Sequence, residues 1–348
     1  MNRQTKQSNN KGKTLTLRIA RSTGVIVIIV ALIGGTGLIY QSLSEAKDKQ
    51  NYPPLGQMID VGGYRLHLYC TGQGSPTIIL EGGLAGPALQ WALVQQKLEK
   101  TTRVCSYDRA GLGWSDIGPE PRTSKEMANE LHTLLNKAGI DGPYVLVGHS
   151  LGGFIVRLFA YEYPSETAGI VLVASGSEND IARMPPEYIK IEESNKQSDH
   201  LLITLTRFGI TRIAGNLGLL SSYTGLLVKF RSNLQKEFIS LTFYRSQYWA
   251  TAYAEYSALN ESRIQVAATG SLGSLPLIVL SGSPDVSRLP ASFPVEHIRE
   301  TFQDLQIELT KLSSRSTHIV CDTCDHYIPL TNPDVVVDAI NQELNNIR

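Results

Sequence analysis

Ser150 stands at the centre of Gly148-His149-Ser150-Leu151-Gly152, directly after the apolar run Tyr144–Val147 and directly before the apolar helical pattern Phe154–Phe159. A serine on so sharp a strand-to-helix turn has strained backbone and presents its hydroxyl as a nucleophile, and the residues packed within van der Waals reach must be glycines. Gly148 and Gly152 supply that room, and Gly153 lets the following helix approach the sheet. The bland alternative is a serine that caps a helix. The strand–turn–helix context favours the nucleophile. Such a serine needs a base that takes its proton and returns it near neutral pH, which calls for histidine. Seven histidines are present. His67 lies in an early hairpin, His132, His200 and His297 in helical patterns, and His318 inside a strand. His149 adjoins the serine, but neighbouring side chains on this kind of turn point apart. His326 alone follows the last apolar strand in a loop, where the carboxyl ends of a parallel sheet converge.

The elements that must position these groups follow from periodicity and turn chemistry. Gln57–Val61 and Tyr64–Tyr69 alternate around Gly62-Gly63 as a hairpin. Thr77–Leu80 reads as a strand that runs into the glycine-rich loop Glu81-Gly82-Gly83-Leu84-Ala85-Gly86-Pro87. Trp91–Leu98 is helical and Arg103–Tyr107 extended; Thr123–Ala138 is a helix with Thr123 as N-cap and Gly139 just beyond its end. The strand before Ser150 and a helix to about Tyr163, stopped by Pro164, precede a strand over Gly169–Ala174. Between Ser175 and Leu275 the pattern is helical throughout, and strand–helix alternation resumes at Leu275–Leu280, Ser292–Leu312, Thr317–Cys321 and Pro333–Ile347. Continuous apolar strands alternating with helices predict an α/β fold, a mostly parallel central β-sheet with helices on both faces. A helical cap is inserted after the sixth strand. The expected units are a core in two parts, 57–175 and 275–348, and a cap at 176–274.

With these elements in place, the chain from about Gln57 onward resembles the α/β-hydrolase fold family, as a capped serine hydrolase. The resemblance rests on the elbow around Ser150, on Glu81-Gly82-Gly83, on Tyr107-Asp108-Arg109-Ala110-Gly111-Leu112-Gly113-Trp114-Ser115, and on Asp325-His326-Tyr327-Ile328-Pro329. It implies the chain order serine, acid, histidine, and so a triad of Ser150, Asp285 and His326. Asp285 follows the Leu275–Leu280 strand, where the family usually carries its acid. Some members place the acid one strand earlier, where Glu178 and Asp180 stand, and Asp325 is a third, more local option. The resemblance also implies an oxyanion hole from the backbone N–H of Leu151 and of Gly83, with Leu84 the alternative register. Many relatives carry histidine where this chain has Glu81. Asp108 is expected to tie its turn down together with Arg109. The implied reaction is hydrolysis of a carboxylic ester-type bond through an acyl-enzyme, with no cofactor and no metal. A serine in place of aspartate at the elbow excludes the dehalogenases and most epoxide hydrolases of this fold. Amide, prolyl-peptide or C–C bond hydrolysis on the same triad are alternatives, and a non-catalytic binding module is a further one. Four cysteines in an exported chain permit two disulfides: the family's strand order sets the strand holding Cys105 beside the one ending in Cys70, which makes that bridge feasible, and Cys321–Cys324 would close the end of the last strand, with buried free thiols or, less favoured, a zinc site as the alternatives.

Charge separates the first residues from the rest. Positions 1–21 carry six cations and no acid, which leaves 26 cations against 32 acids in the remaining chain. A mildly acidic body is a poor partner for nucleic acid. Residues 22–44 are uncharged, and Thr23–Tyr40 as a helix would cover roughly 27 Å, close to a bilayer's hydrocarbon core. Residues 1–21 therefore read as a basic cytoplasmic arm, 22–44 as a membrane anchor or cleaved signal peptide, and 45–56 as a linker ending at Pro53-Pro54. The catalytic unit is then expected on the extracytoplasmic side, or secreted if Ser44-Glu45-Ala46 is cut. Cap aromatics such as Phe230, Tyr248 and Trp249 suit a small-molecule ester or lipid-like substrate, and the apolar, cation-dotted stretch Leu201–Phe230 suits contact with a membrane.

Overall fold

The strands pair in the order β1-β2-β4-β3-β5-β6-β7-β8. They are Gln57–Asp60, Arg65–Thr71, Thr77–Glu81, Val104–Tyr107, Tyr144–His149, Thr167–Val173, Leu277–Ser281 and Ser316–Val320, taken as β1 to β8 in chain order. This is a computed structural model, and it describes residues 4–219, 225–284, 286, 289 and 293–347, with side chains from Arg21 onward. β1 and β4 each run antiparallel to β2, and every other pairing is parallel. The expected mostly parallel sheet is present, and β3, β5, β6 and β7 at its centre are near-continuous runs of Val, Ile and Leu. Such strands are buried on both faces. Alternation then decides which layer each side chain joins. Ile79 and Leu146 face a core shared with Ile155 and Leu131, whereas Ile78, Leu80, Val145 and Val147 face one shared with Trp91 and Ile340.

Helices α2 (Ala92–Leu98), α3 (Ser124–Lys137) and α4 (Gly152–Glu162) lie between the early strands. Thr123 caps α3, its hydroxyl accepting from the Glu126 N–H at 3.3 Å. Between β6 and β7 come α5 (Asp180–Arg183), α6 (Pro186–Arg207), α7 (Ile210–Asn216), α8 (Ser232–Leu241), α9 (Ser246–Ser257) and α10 (Leu259–Ala267). The core ends with α11 (Val295–Thr310), α12 (Ile328–Thr331) and α13 (Pro333–Ile347). Cys70 and Cys105 are register partners on β2 and β4 and form a disulfide, with Cα atoms 4.0 Å apart; Cys321 and Cys324 form a second.

One element is longer than the sequence suggested. Helix α1 runs from Gln4 to Asn51, so most of the residues read as a linker are helical. Ser44–Asn51 contains no glycine or proline, and Pro53-Pro54 provides the stop. Its last turns also gain tertiary partners. Gln41 is buried and its amide donates to the Tyr244 carbonyl, while Asp48 pairs with Arg212 of α7 at 2.6 Å. The Arg212 guanidinium lies over the Tyr244 ring, 4.6 Å from its centroid. The large aliphatic side chains from Val25 to Ile33, by contrast, are 49–68% exposed.

Candidate active site

β5 lies between β3 and β6 in mid-sheet, so its carboxyl end places Ser150 beside the loops that leave β3 and β6. Ser150 has φ +53°, a left-handed conformation that costs a non-glycine residue about 1 kcal/mol or more. Its N–H donates to the Val173 carbonyl at 3.1 Å, and its own carbonyl accepts from the N–H groups of Gly153 and Gly176. The glycines around it are required by close approach. A Cβ on Gly148 would lie 2.5 Å from the Gly152 carbonyl oxygen, and one on Gly153 would overlap the Ser175 hydroxyl at the end of β6. Facing the serine from the β3 loop, a Cβ on Gly83 would come within 3.3 Å of Ser150 Cβ and 2.7 Å of His149 Nδ1. Among the described residues, the N–H groups of Leu151 and Gly83 donate to no protein acceptor.

His149 is held at both ring nitrogens. Its Nε2 lies 2.8 Å from the His326 carbonyl oxygen, which can only accept, so Nε2 carries the proton. Nδ1 then accepts from the Gln90 amide at 2.9 Å. Burial, reinforced by the nearby His326, pushes its pKa down to about 3, so it stays neutral. Both nitrogens being engaged, His149 is unsuited to act as the base, and it ties the loop bearing His326 to the elbow. The two histidine rings are 5.0 Å apart. Four of the other five histidines have partners elsewhere, His67 with Asp108, His132 with Glu166, His318 with Ser281 and His200 against the Tyr253 ring, and His297 lies on α11.

Asp285 lies outside the described residues. The chain just before it is defined: the Ser283 N–H donates to the Cys324 carbonyl at 2.8 Å, and a Cβ on Gly282 would lie 2.8 Å from the Asp325 carbonyl oxygen. The chain leaving β7 is thus pressed against the loop that carries His326. The alternative acids have other commitments. Glu178 makes a two-pronged bond to Arg157 at 2.7 and 2.9 Å, and although burial opposes it, that cation holds the carboxyl below its usual pKa. Asp180 pairs with Arg263 at 2.7 Å. Asp325 accepts from the Tyr327 N–H and the Thr331 hydroxyl, shaping the turn into α12.

The expected Asp108–Arg109 partnership does not form. Asp108 instead faces His67 Nδ1 at 2.8 Å and accepts from the N–H groups of Ala88 and Trp114. Arg109 turns the other way and donates all five of its N–H groups. They reach Glu81, the carbonyls of Gly82 and Gly83, and both oxygens of Glu255. Glu255, on α9, also accepts from the Ala85 N–H at 2.7 Å, fixing a residue at φ +51°. Tyr107 donates its hydroxyl to the second oxygen of Glu81. Glu81, Arg109 and Glu255 are each at most 1% exposed. Burial raises the Glu81 pKa, with Arg109 opposing that rise. The glycine-rich loop opposite Ser150 is therefore clamped between core and cap by one guanidinium and two carboxylates. Glu81 stands out in the sequence, but no signal there marks Glu255, which is one polar residue among many in a helix. A cleft of about 440 Å³ near Ala160 and Pro276 lies at the amino ends of β6 and β7, and takes no part in this geometry.

A family model described as the alpha/beta hydrolase fold matches residues 76–342. The chain belongs to that family. Over 156 residues it is 35% identical to a probable transporter of Hormonema carpetanum, a match covering 42% of this chain and 22% of that protein. An uncharacterized protein of Schizosaccharomyces pombe is 27% identical over 303 residues, covering 77% of this chain and 51% of its own length. The chain thus spans about half or less of these relatives. Among solved structures, a thermophilic esterase from Thermogutta terrifontis superimposes with TM-score 0.58 at 21% identity, covering 83% of this chain and 97% of its own. The Cif epoxide hydrolase from Acinetobacter nosocomialis gives TM-score 0.67 at 15% identity, with 88% and 96% covered. These likenesses extend the family match to the fold as a whole.

Proposed function

We infer that the protein is a serine hydrolase of carboxylic ester-type bonds, working through Ser150, His326 and Asp285. The observation that carries this reading is the strained Ser150 at the carboxyl end of β5, packed against Gly83 and tied through His149 to the His326 loop. Ser150 Oγ attacks the acyl carbon as His326 takes its proton. The developing oxyanion accepts from the N–H groups of Leu151 and Gly83, with Leu84 the neighbouring donor. Collapse of the tetrahedral species expels the alcohol, protonated by His326, and leaves Ser150 acylated. Water, deprotonated by His326, then attacks and frees the acid. Asp285 orients the imidazole and stabilises its cation. The Ser283–Cys324 hydrogen bond supports that placement, because it brings the chain two residues before Asp285 against the chain two residues before His326.

The cap supplies the substrate surface. Tyr248 of α9 packs with Leu84 and Ala85 of the oxyanion loop, and Tyr327 beside His326 packs with Phe230 and Leu227. An apolar acyl or alcohol group matches these walls, so small-molecule or lipid-like esters fit best. Helix α1 serves as a retained membrane anchor: Arg21–Asn51 is long and apolar enough to cross, and cleavage after Ala46 would remove Gln41 from its buried site on the cap. The basic arm would then remain cytoplasmic and the hydrolase extracytoplasmic. Hydrolysis of a short and a long p-nitrophenyl ester by wild type, Ser150→Ala and His326→Ala tests the reading. Loss of turnover in both variants, with unchanged circular dichroism, supports it; full activity in Ser150→Ala removes it.

A further inference from the structure

The contact between α1 and the cap falls at a depth on the helix that has consequences for the cap. Crossing a hydrocarbon core of about 30 Å takes about 20 helical residues. Counted from Arg21, the last cation before the apolar stretch, the outer boundary falls near Gln41, the first buried polar side chain on the helix. Yet the cap touches α1 well before that point. The Phe208 ring lies 3.4 Å from where a Cβ on Gly34 would be, and the Phe208 carbonyl oxygen 2.6 Å from where one on Gly37 would be. Gly209 packs on the Tyr40 ring. Gly34 is seven residues inside Gln41, roughly 10 Å at the helical rise. Two glycines three apart give the corner between α6 and α7 its close approach, as small residues do between helices in bilayers.

We propose that the α6–α7 corner of the cap is embedded among the acyl chains of the outer leaflet, alongside α1. The inference rests on reading α1 as membrane-spanning. Its chemistry agrees at each residue around the contact. Leu201, Ile210 and Ile213 expose large aliphatic surface next to Phe208, which water would penalise and lipid would not. No acid occurs from His200 to Lys236, whereas Arg207, Lys229, Arg231 and Lys236 do. An interfacial segment carries that pattern, with cations reaching toward phosphate headgroups. Arg212, one helical turn above the corner, is not left in the apolar zone but pairs with Asp48 beyond Gln41. The cap that roofs Ser150 is thereby seated in the phase where a lipid-like ester is dissolved.

Single free cysteines labelled with an environment-sensitive fluorophore report depth in the full chain, reconstituted in phosphatidylcholine–phosphatidylglycerol vesicles. Ile28→Cys marks mid-span, Ile210→Cys marks the corner, and Ile307→Cys marks an exposed position on α11, which packs on β7 and β8. Lipids with a nitroxide near the glycerol end of the acyl chain should quench Ile210→Cys severalfold more than Ile307→Cys. Ile28→Cys should respond best to a nitroxide near the chain terminus. Adding Gly37→Leu, which forces the Phe208 backbone away, should cut quenching at position 210 severalfold and leave position 28 unchanged. If position 28 is quenched while 210 matches 307, the corner lies in water and the proposal is overturned with the anchor intact. If position 28 is not quenched either, α1 does not span, and anchor and corner fall together.

Discussion

Replacing Arg109 by Met leaves Glu81 and Glu255 facing each other without a cation, both at most 1% exposed. Methionine is shorter than arginine but unbranched and similar in bulk, so the change is mainly one of charge and hydrogen bonding. Wild type holds two carboxylates with one guanidinium through three charge-assisted bonds of 2.5–3.0 Å, and two further N–H groups go to the Gly82 and Gly83 carbonyls. Breaking a buried pair from one side costs about 3–5 kcal/mol, because the remaining charge keeps its desolvation penalty. The variant can escape part of this cost by protonating a carboxyl. Burial already raises the Glu81 pKa, and without Arg109 it rises further. A carboxyl whose folded pKa exceeds its unfolded value loses stability as pH rises between the two. The deficit should therefore be full at pH 8 and smaller at pH 5. Urea unfolding of wild type and Arg109→Met at both pH values measures it. At the same time the carbonyls of Gly82 and Gly83 lose their donors, so turnover should fall more than KM changes. A deficit under about 1 kcal/mol at pH 8, or one equal at the two pH values, would refute the idea that this cluster is an ionised clamp on the loop.

Other consequences can be checked separately. Gly83→Ala places a methyl 2.7 Å from His149 Nδ1, so kcat should drop by about 10-fold or more in an ester assay while the far-ultraviolet spectrum stays the same. His149→Phe strands the buried Gln90 amide and the His326 carbonyl; denaturant midpoints should show a loss of about 1–3 kcal/mol, and kcat should fall with it. Asp199 is 8% exposed and burial pushes its pKa up to about 7, so its cost to the fold grows as pH rises from about 4 through that value. Asp199→Asn should accordingly match wild type near pH 4 and exceed it by about 1–2 kcal/mol at pH 8, after allowance for solvent screening, in thermal melts across that range.

Much of the scaffold is written locally. The strands β3, β5 and β6 are runs rich in Val, Ile and Leu, and an elbow with glycines two before and two after Ser150 admits one backbone path. The sequence leaves bridges and free thiols both open; the family's strand order makes Cys70–Cys105 feasible, and the register of β2 on β4 decides it. The Glu81–Arg109–Glu255 clamp on the glycine-rich loop is not legible, since Glu81 and Glu255 are 174 positions apart and meet only when α9 folds over the core. The family pattern implies that Asp108 and Arg109 hold their turn together, but neighbours on a tight turn diverge. Each then found a partner from another element, His67 on β2 and Glu255 on α9. Hydropathy ends helix α1 with its apolar stretch, because it marks the bilayer and is silent about a polar continuation that docks on the cap.

If Ser150 is an activated nucleophile served by His326, an electrophile that traps such serines should find it. Intact-mass and peptide analysis of the full chain, solubilised in mild detergent and treated with a fluorophosphonate, tests it most directly. One adduct per chain should map to the peptide containing Ser150, be absent in Ser150→Ala, and form far more slowly in His326→Ala. Labelling of wild type that maps elsewhere, or that proceeds at the same rate without His326, would contradict the account.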